Sequence, residues 1–356
     1  MIFLTTTLRR AVAVSVAAVT VSLTSGAANY SEVVSEEEFF TAQANVTLNG
    51  AGASFPKPLY DRYFNEIRAQ KGLRVNYEAI GSGGGIKQFI ANTVDFAGSD
   101  APPEQGEKSQ MKKGMVMVPT AGGAVAVVYN LPGVGNLKLS RETLPAIFEG
   151  KITRWNDPKI RANNPGVNLP NKPIRVAVRS DGSGTTYIFT SHLKAIGSSI
   201  AADKAPTWPG TTLGGAKNAG VAAVVQQNEG AIGYVQADYA FENNLNTAAI
   251  ENKAGQYLKP TDANADKALE NIEFNPDFTT ANSDDPEDGY PIVGVTWLLL
   301  KESYESAAKE QAIEEMVEWI LTDGQSINGQ LHYTRIPASV AQRAINTVKQ
   351  EVSVSR

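Results

Sequence analysis

Three segments of the chain place glycines and short hydroxyl side chains where a strand gives way to a helix. They are Gly50-Ala51-Gly52-Ala53-Ser54-Phe55-Pro56, Gly81-Ser82-Gly83-Gly84-Gly85 and Arg179-Ser180-Asp181-Gly182-Ser183-Gly184-Thr185. Such a junction gathers unpaired backbone N–H groups, hydroxyls and the positive end of a helix dipole at one point, a combination that suits a bound anion. A tight turn with a capped helix accounts for any one of them alone. Three in one chain, one carrying an arginine two residues before an aspartate, favour anion binding.

Other chemistries fit these residues poorly. A phosphate-binding Walker loop needs Gly-Lys-Ser/Thr, but Gly150-Lys151 runs into Ile152, and a dinucleotide fingerprint counted from Gly81 meets Ile86 where glycine is required. A serine hydrolase using Ser183 or Ser82 is the enzymatic alternative. Ser183 lacks the Gly-x-Ser-x-Gly elbow, His192 lies two helical turns past it, and His332 sits between Leu331 and Tyr333. With no cysteine and two histidines, thiolate chemistry is excluded and a zinc site would be mostly carboxylate. A near-match to a calcium loop, Asp262, Asn264, Asp266 and Glu273, has Lys267 where the sharp turn needs glycine. A short helix capped by Thr261 or Asp262 is expected there instead.

The elements that must position these residues follow an alternating α/β pattern from Val46 onward. Leu59, Tyr60, Tyr63, Phe64 and Ile67 have helical spacing, and Gly72 is placed to end that helix. Val75, Tyr77 and Ala79 alternate as a strand, residues 81–85 break it, and Ile86, Phe89, Ile90 and Val94 open a further helix. Strands are expected at residues 124–129, 174–178, 231–235 and 293–300. Helices are expected at residues 140–148, with Ser140 as cap, at 187–195, and around Ile313, Met316, Val317 and Ile320.

At 356 residues, 42% hydrophobic and 19% charged, the chain can bury a real core and is long enough for about two domains. A formal charge of −5 gives no cationic field for nucleic acid or anionic lipid. Residues 1–28 combine Arg9-Arg10, an Ala/Val/Leu-rich run and a small-residue stretch ending in Ala27-Ala28, which reads as a cleaved export signal. Residues 29–45, with Glu32, Glu36, Glu37 and Glu38, read as an acidic leader.

The stretches GAGASFPKPLYDRYF, GSGGGIKQFIANTVDFAGSDAPP, IFEGKITRWNDPKI, RSDGSGTTYIFTSHL, TLGGAKNAGVAAVVQQNEGAIGYV and YPIVGVTWLLL resemble, in order and spacing, the periplasmic phosphate-binding proteins of bacterial high-affinity phosphate ABC transporters. The resemblance covers residues 46–350. It implies an α/β type II periplasmic binding protein: two lobes, a ligand cleft between them, and two interlobe strand crossings near residues 122–128 and 293–297. Lobe I would comprise residues 46–124 and 295–356, and lobe II residues 125–294. The phosphate ligands it implies are Ser54, Phe55, Ser82, Asp100, Arg179, Asp181, Ser183, Gly184 and Thr185. Phe55, Gly184 and Thr185 would offer backbone N–H groups, and Ser54, Ser82, Ser183 and Thr185 hydroxyls. The family often has Thr at the position of Ser54, and Gly83 replaces a serine sometimes seen there.

By the same resemblance, a monomer binds inorganic phosphate in the periplasm and hands it to the membrane permease and ATPase complex of an ABC importer. It uses no cofactor, no nucleic acid and no catalysis. Arg179 would supply the fixed cation, with Asp181 orienting its guanidinium. Asp100 would accept the proton that phosphate retains near neutral pH and that sulfate lacks, a selection made by penalty. A receptor of the same fold for sulfate, molybdate or a phosphonate is the alternative.

Overall fold

The computed structural model describes residues 46–355, so the expected export signal and acidic leader lie outside the described residues. The main elements run β1 (Thr47–Gly52), α1 (Lys57–Lys71), β2 (Arg74–Ala79), α2 (Ser82–Ile90), β3 (Phe96–Ser99), β4 (Val116–Tyr129), β5 (Arg175–Arg179) and α3 (Gly184–Ala195). They continue through β6 (Thr212–Gly215), α4 (Lys217–Gln227), β7 (Ala231–Gln236), α5 (Ala237–Glu242), β8 (Asn246–Thr247), α6 (Asp262–Leu269), β9 (Val293–Leu300), α7 (Ala307–Leu321) and α8 (Ala338–Glu351).

Nine strands form one continuous ladder in the order β2-β1-β3-β9-β4-β7-β5-β6, with β8 also pairing β4. The outer groups are parallel, β1 with β2 and β3 on one side and β5 with β6 and β7 on the other. Between them β9 and β4 run antiparallel, and each is antiparallel to its outer neighbour. This pattern yields two α/β lobes sharing a spine. Residues 116–124 of β4 pair with β9, and residues 125–129 pair with β7, so one fully buried strand of 14 residues leads from one lobe into the other. Its partner β9 begins with Val293 opposite Ala124.

Local sequence explains most of these elements. Helix α1 buries Leu59, Tyr60, Tyr63, Phe64 and Ile67 on one face, each contributing about 1.5–3 kcal/mol if fully removed from water. Gly72 ends it at φ 73°, its N–H donating to the Arg68 carbonyl. Three expectations require correction. Strand β4 starts at Val116, eight residues before the apolar run that announces it, because Pro119 and Gly122-Gly123 interrupt the pattern. Pro119 faces Trp297 where the ladder slips its register, a place that tolerates a residue without an N–H. The glycines after Gly81 do not delay α2, which begins at Ser82. The expected helix at residues 140–148 is also shorter, Thr143–Phe148, with the Ser140 hydroxyl accepting the Thr143 N–H ahead of it.

Where the calcium-like spacing occurs, Thr261 caps α6 and Asp262 bonds His332 Nδ1 at 2.9 Å. His192 is buried in α3 with Nδ1 against the Asp284 carbonyl at 2.9 Å, and burial lowers its pKa to about 4. Neither histidine lies beside Ser183.

Candidate functional site

The parallel strands of each lobe point their carboxyl ends inward, and four helices of nine to fifteen residues start there: α1, α2, α3 and α4. Backbone and side-chain bonds tie their N-termini to one another. The Gly184 N–H at the start of α3 donates to Ser82 Oγ at the start of α2, 3.0 Å away. Asn218 in the first turn of α4 donates from its backbone and from Nδ2 to Ser54 Oγ, both at 3.0 Å, and Nδ2 also donates to Thr185 Oγ1 at 3.1 Å. Four helix dipoles therefore present their positive ends to one small volume.

Close approach explains two of the glycines. A Cβ on Gly184 would stand 2.6 Å from both Asp100 Cβ and Ser82 Oγ. Gly81 has φ 87°, a conformation L side chains avoid, and a Cβ there would be 2.3 Å from Asp181 Oδ2. Gly83 N–H crosses to the Gly182 carbonyl at 3.0 Å. The glycine runs thus serve contact between the lobes.

The hydroxyls share one electrical polarity. Ser54 Oγ accepts twice from Asn218, Ser82 Oγ accepts from the backbone of Asp100 at 3.3 Å and of Gly184, Ser183 Oγ accepts from Thr186 N–H at 3.0 Å, and Thr185 Oγ1 accepts from Asn218. Each partner is an N–H and can only donate. The hydroxyl protons are thereby kept for a further acceptor, and an anion is the acceptor such a set suits. All four residues are at most 2% exposed.

Two charged groups complete the site. The Arg179 guanidinium is buried and grips Asp181 through two parallel bonds, Nε to Oδ1 at 2.8 Å and Nη2 to Oδ2 at 2.5 Å. Burial would raise the Asp181 carboxyl, but Arg179 and the Lys217 N–H, 3.0 Å from Oδ1, outweigh it and hold its pKa below the usual carboxylate value. Asp181 so fixes the fork and leaves Nη1 to face elsewhere. Asp100 is different: burial pushes it up to about 7, against the pull of the Thr296 hydroxyl at 2.8 Å and of the Arg179 charge.

The structure brings Ser54, Ser82, Asp100, Arg179, Asp181, Ser183, Gly184 and Thr185 into this network. Phe55 adjoins it, with its carbonyl accepting from Tyr333 Oη at 2.5 Å and its ring edge-on to that tyrosine. Sequence reasoning missed Asn218, Thr296 and Tyr239, whose Oη donates to the Ser54 carbonyl at 2.7 Å. Asn218 had a signal: Gly214-Gly215 followed by a helix start is a fourth strand–glycine–helix junction.

A two-lobed receptor with a buried anion-adapted cleft is the class that this fold and site define. The family model described as the PBP superfamily domain matches residues 40–323. The chain is 36% identical over 311 residues to the phosphate-binding protein PstS of Xylella fastidiosa, covering 84% of each chain, and 37% identical over 324 residues to that of Pasteurella multocida, covering 88% of this chain and 93% of the relative. It belongs to the PstS phosphate-binding protein family. Among solved structures, a high-affinity periplasmic phosphate-binding protein bound with phosphate superposes with a TM-score of 0.73 at 22% identity, over 85% of this chain and 94% of the other. A phosphate-binding protein from Stenotrophomonas maltophilia gives 0.67 at 20% identity, over 85% and 93%. At these identities the superpositions speak for the fold.

Proposed function

We propose that this chain binds inorganic phosphate between its lobes and delivers it to an ABC importer, without catalysing a reaction. The observation that carries the reading is a buried carboxylate, Asp100, within a set of groups otherwise arranged to donate. Against a fully ionised tetrahedral anion that carboxylate repels. Against phosphate, which keeps a proton near neutral pH, it accepts a charge-assisted hydrogen bond. Ser54, Ser82, Ser183 and Thr185 give hydroxyl protons, Phe55 and Thr185 give backbone N–H groups, Gly184, whose N–H donates to Ser82 Oγ, aims the Ser82 proton at the anion, and Arg179, steadied by Asp181, gives the positive charge.

Residues 46–124 with 295–356 form lobe I and residues 125–294 lobe II, a division supported by the change of partner at Ala124 and Val125 of β4. Closure binds and opening releases. The chain works as a monomer in the periplasm, reached through the export signal of residues 1–28; among the described residues no helix is long and apolar enough to cross a membrane.

Isothermal titration with phosphate, sulfate and arsenate at about pH 8, where Asp100 is ionised, tests the function. Phosphate is expected to bind at least about 10⁴-fold more tightly than sulfate, the discrimination of a site built on one required hydrogen bond. Equal affinities, or no phosphate binding, would overturn the reading.

A further inference from the structure

Beyond β3 the chain turns through Ala101-Pro102-Pro103 to Glu104, which caps a single helical turn, Gln105–Lys108. Glu104 and Glu107 hold each other in a reciprocal capping box, the Glu107 side chain accepting the Glu104 N–H at 2.8 Å. This arrangement sets two carboxylates side by side before any partner arrives, on the lobe that carries Ser82 and Asp100.

Their partner comes from the other lobe. Lys204, in the connection between α3 and β6, places Nζ 3.0 Å from Glu104 Oε1 and 3.0 Å from Glu107 Oε2. The lysine side chain is 10% exposed. Its mounting is rigid: the Lys204 carbonyl accepts the Ser183 N–H at 2.9 Å, and the preceding Asp203 exchanges bonds with Thr190 through its N–H and carbonyl. Both contacts anchor the lysine to α3, the helix whose first residue meets Ser82 across the cleft.

We propose that Lys204 with Glu104 and Glu107 is an interlobe latch that sets how long phosphate stays bound. It is a positioning device: none of the three residues belongs to the hydroxyl, amide and Arg179–Asp100 set around the anion. The ion pairs exist only when the lobes are together, so they stabilise the closed form and leave the open form unchanged. Apparent affinity scales with the closed fraction, and dissociation requires the latch to open. An exposed pair would contribute little. Lys204 is largely buried and Glu107 is 24% exposed, whereas Glu104 is 67% exposed, so the Lys204–Glu107 bond carries most of the latch, and loss of such a partly desolvated charge pair acts mainly on the off-rate.

The proposal rests on the phosphate reading of the cleft. Stopped-flow kinetics with inorganic phosphate on the mature chain tests it in wild type, Lys204→Met, the double variant Glu104→Gln/Glu107→Gln, and the triple combination. The expected result is an off-rate raised roughly three- to thirty-fold in each, an on-rate within about twofold of wild type, and a triple variant no worse than either parent. The charge swap Lys204→Glu with Glu107→Lys should recover part of the loss. Unchanged off-rates, or effects that add in the triple variant, overturn the latch. If wild type takes no phosphate, the reading of the cleft falls and hydrogen exchange at the Gly184 amide decides the latch alone: faster exchange in Lys204→Met supports it, and unaltered exchange overturns it.

Discussion

Thr296 Oγ1 donates to Asp100 Oδ1 at 2.8 Å, joining the return strand β9 to the end of β3. The Thr296 carbonyl in turn accepts from Thr120 Oγ1 at 3.2 Å, and Thr120 Oγ1 pairs with Tyr60 Oη at 2.8 Å. One oxygen of the carboxylate is therefore held by the spine, and on the phosphate reading proposed above Oδ2 is the one that meets the ligand. Thr296→Val keeps the shape and removes the donor. Asp100 should then titrate even higher, since the Thr296 bond lowers it, and phosphate affinity at about pH 8 should fall about tenfold, as for a lost hydrogen bond to a charged group. Calorimetric titration of the variant across the neutral range checks both; unchanged affinity would show that Thr296 merely packs.

An Asp100 pKa near 7 qualifies the proposed rule by which Asp100 would choose phosphate. Below that value the carboxyl carries its own proton and can donate it, so a fully ionised sulfate no longer meets a bare negative charge. Sulfate affinity should rise about tenfold for each unit of falling pH above 7 and flatten below it, following the protonated fraction. Phosphate shares one proton with Asp100 in either form and should vary far less. In Asp100→Asn the sulfate profile should be flat. Sulfate affinities measured at intervals from acid to alkaline conditions would settle this, and a steep profile surviving in Asp100→Asn would assign the titration to another group.

The same burial affects stability. Burial holds the folded pKa of Asp100 above the ordinary aspartate value of 3.8, so the unfolded chain releases this proton at lower pH than the folded one. The native state binds the extra proton between about pH 4 and 7, and stability from this group falls as pH rises through that window. Holding this carboxylate ionised in the folded core costs on the order of 4 kcal/mol above pH 7. Ligand-free Asp100→Asn should accordingly unfold at higher denaturant concentration than wild type at about pH 8, with the gap closing toward pH 4. A gap independent of pH would refute the buried-charge explanation.

Particular residues show what the sequence could reveal. Helix α1 was legible from five apolar residues at helical spacing and from Gly72, because a helix and its stop are local properties. Ser54, Ser82 and Ser183 were legible because each stands at a strand–glycine–helix junction, where the backbone itself supplies anion donors. Their assembly around one carboxylate came from resemblance, since no local pattern pairs β3 with α3. Asn218 and Thr296 escaped for the same reason. An asparagine in a first helical turn reads as a solvated start, and a threonine inside Val-Gly-Val-Thr-Trp-Leu reads as a strand filler. Only the approach of distant segments gives them Ser54, Thr185 and Asp100 as partners.

Asn218 offers the sharpest test of hydroxyl polarity. Its amide donates to Ser54 and Thr185, and its Oδ1 accepts the Gln236 N–H at 2.9 Å, so the amide cannot be reversed without losing that bond. Asn218→Asp conserves size and keeps an acceptor for Gln236, but replaces the donor by a second acceptor. Ser54 and Thr185 must then turn their protons toward residue 218, withdrawing two donors from the anion and facing it with a new negative charge. Affinity for phosphate should fall by more than about a hundredfold, given about 1.5–3 kcal/mol for each charge-assisted bond lost. Asn218→Ala, which leaves the hydroxyls free to rotate, should lose less. Equal losses in the two variants, measured by competition at about pH 8, would mean that Asn218 holds the helices together and does not set the direction of the hydroxyls.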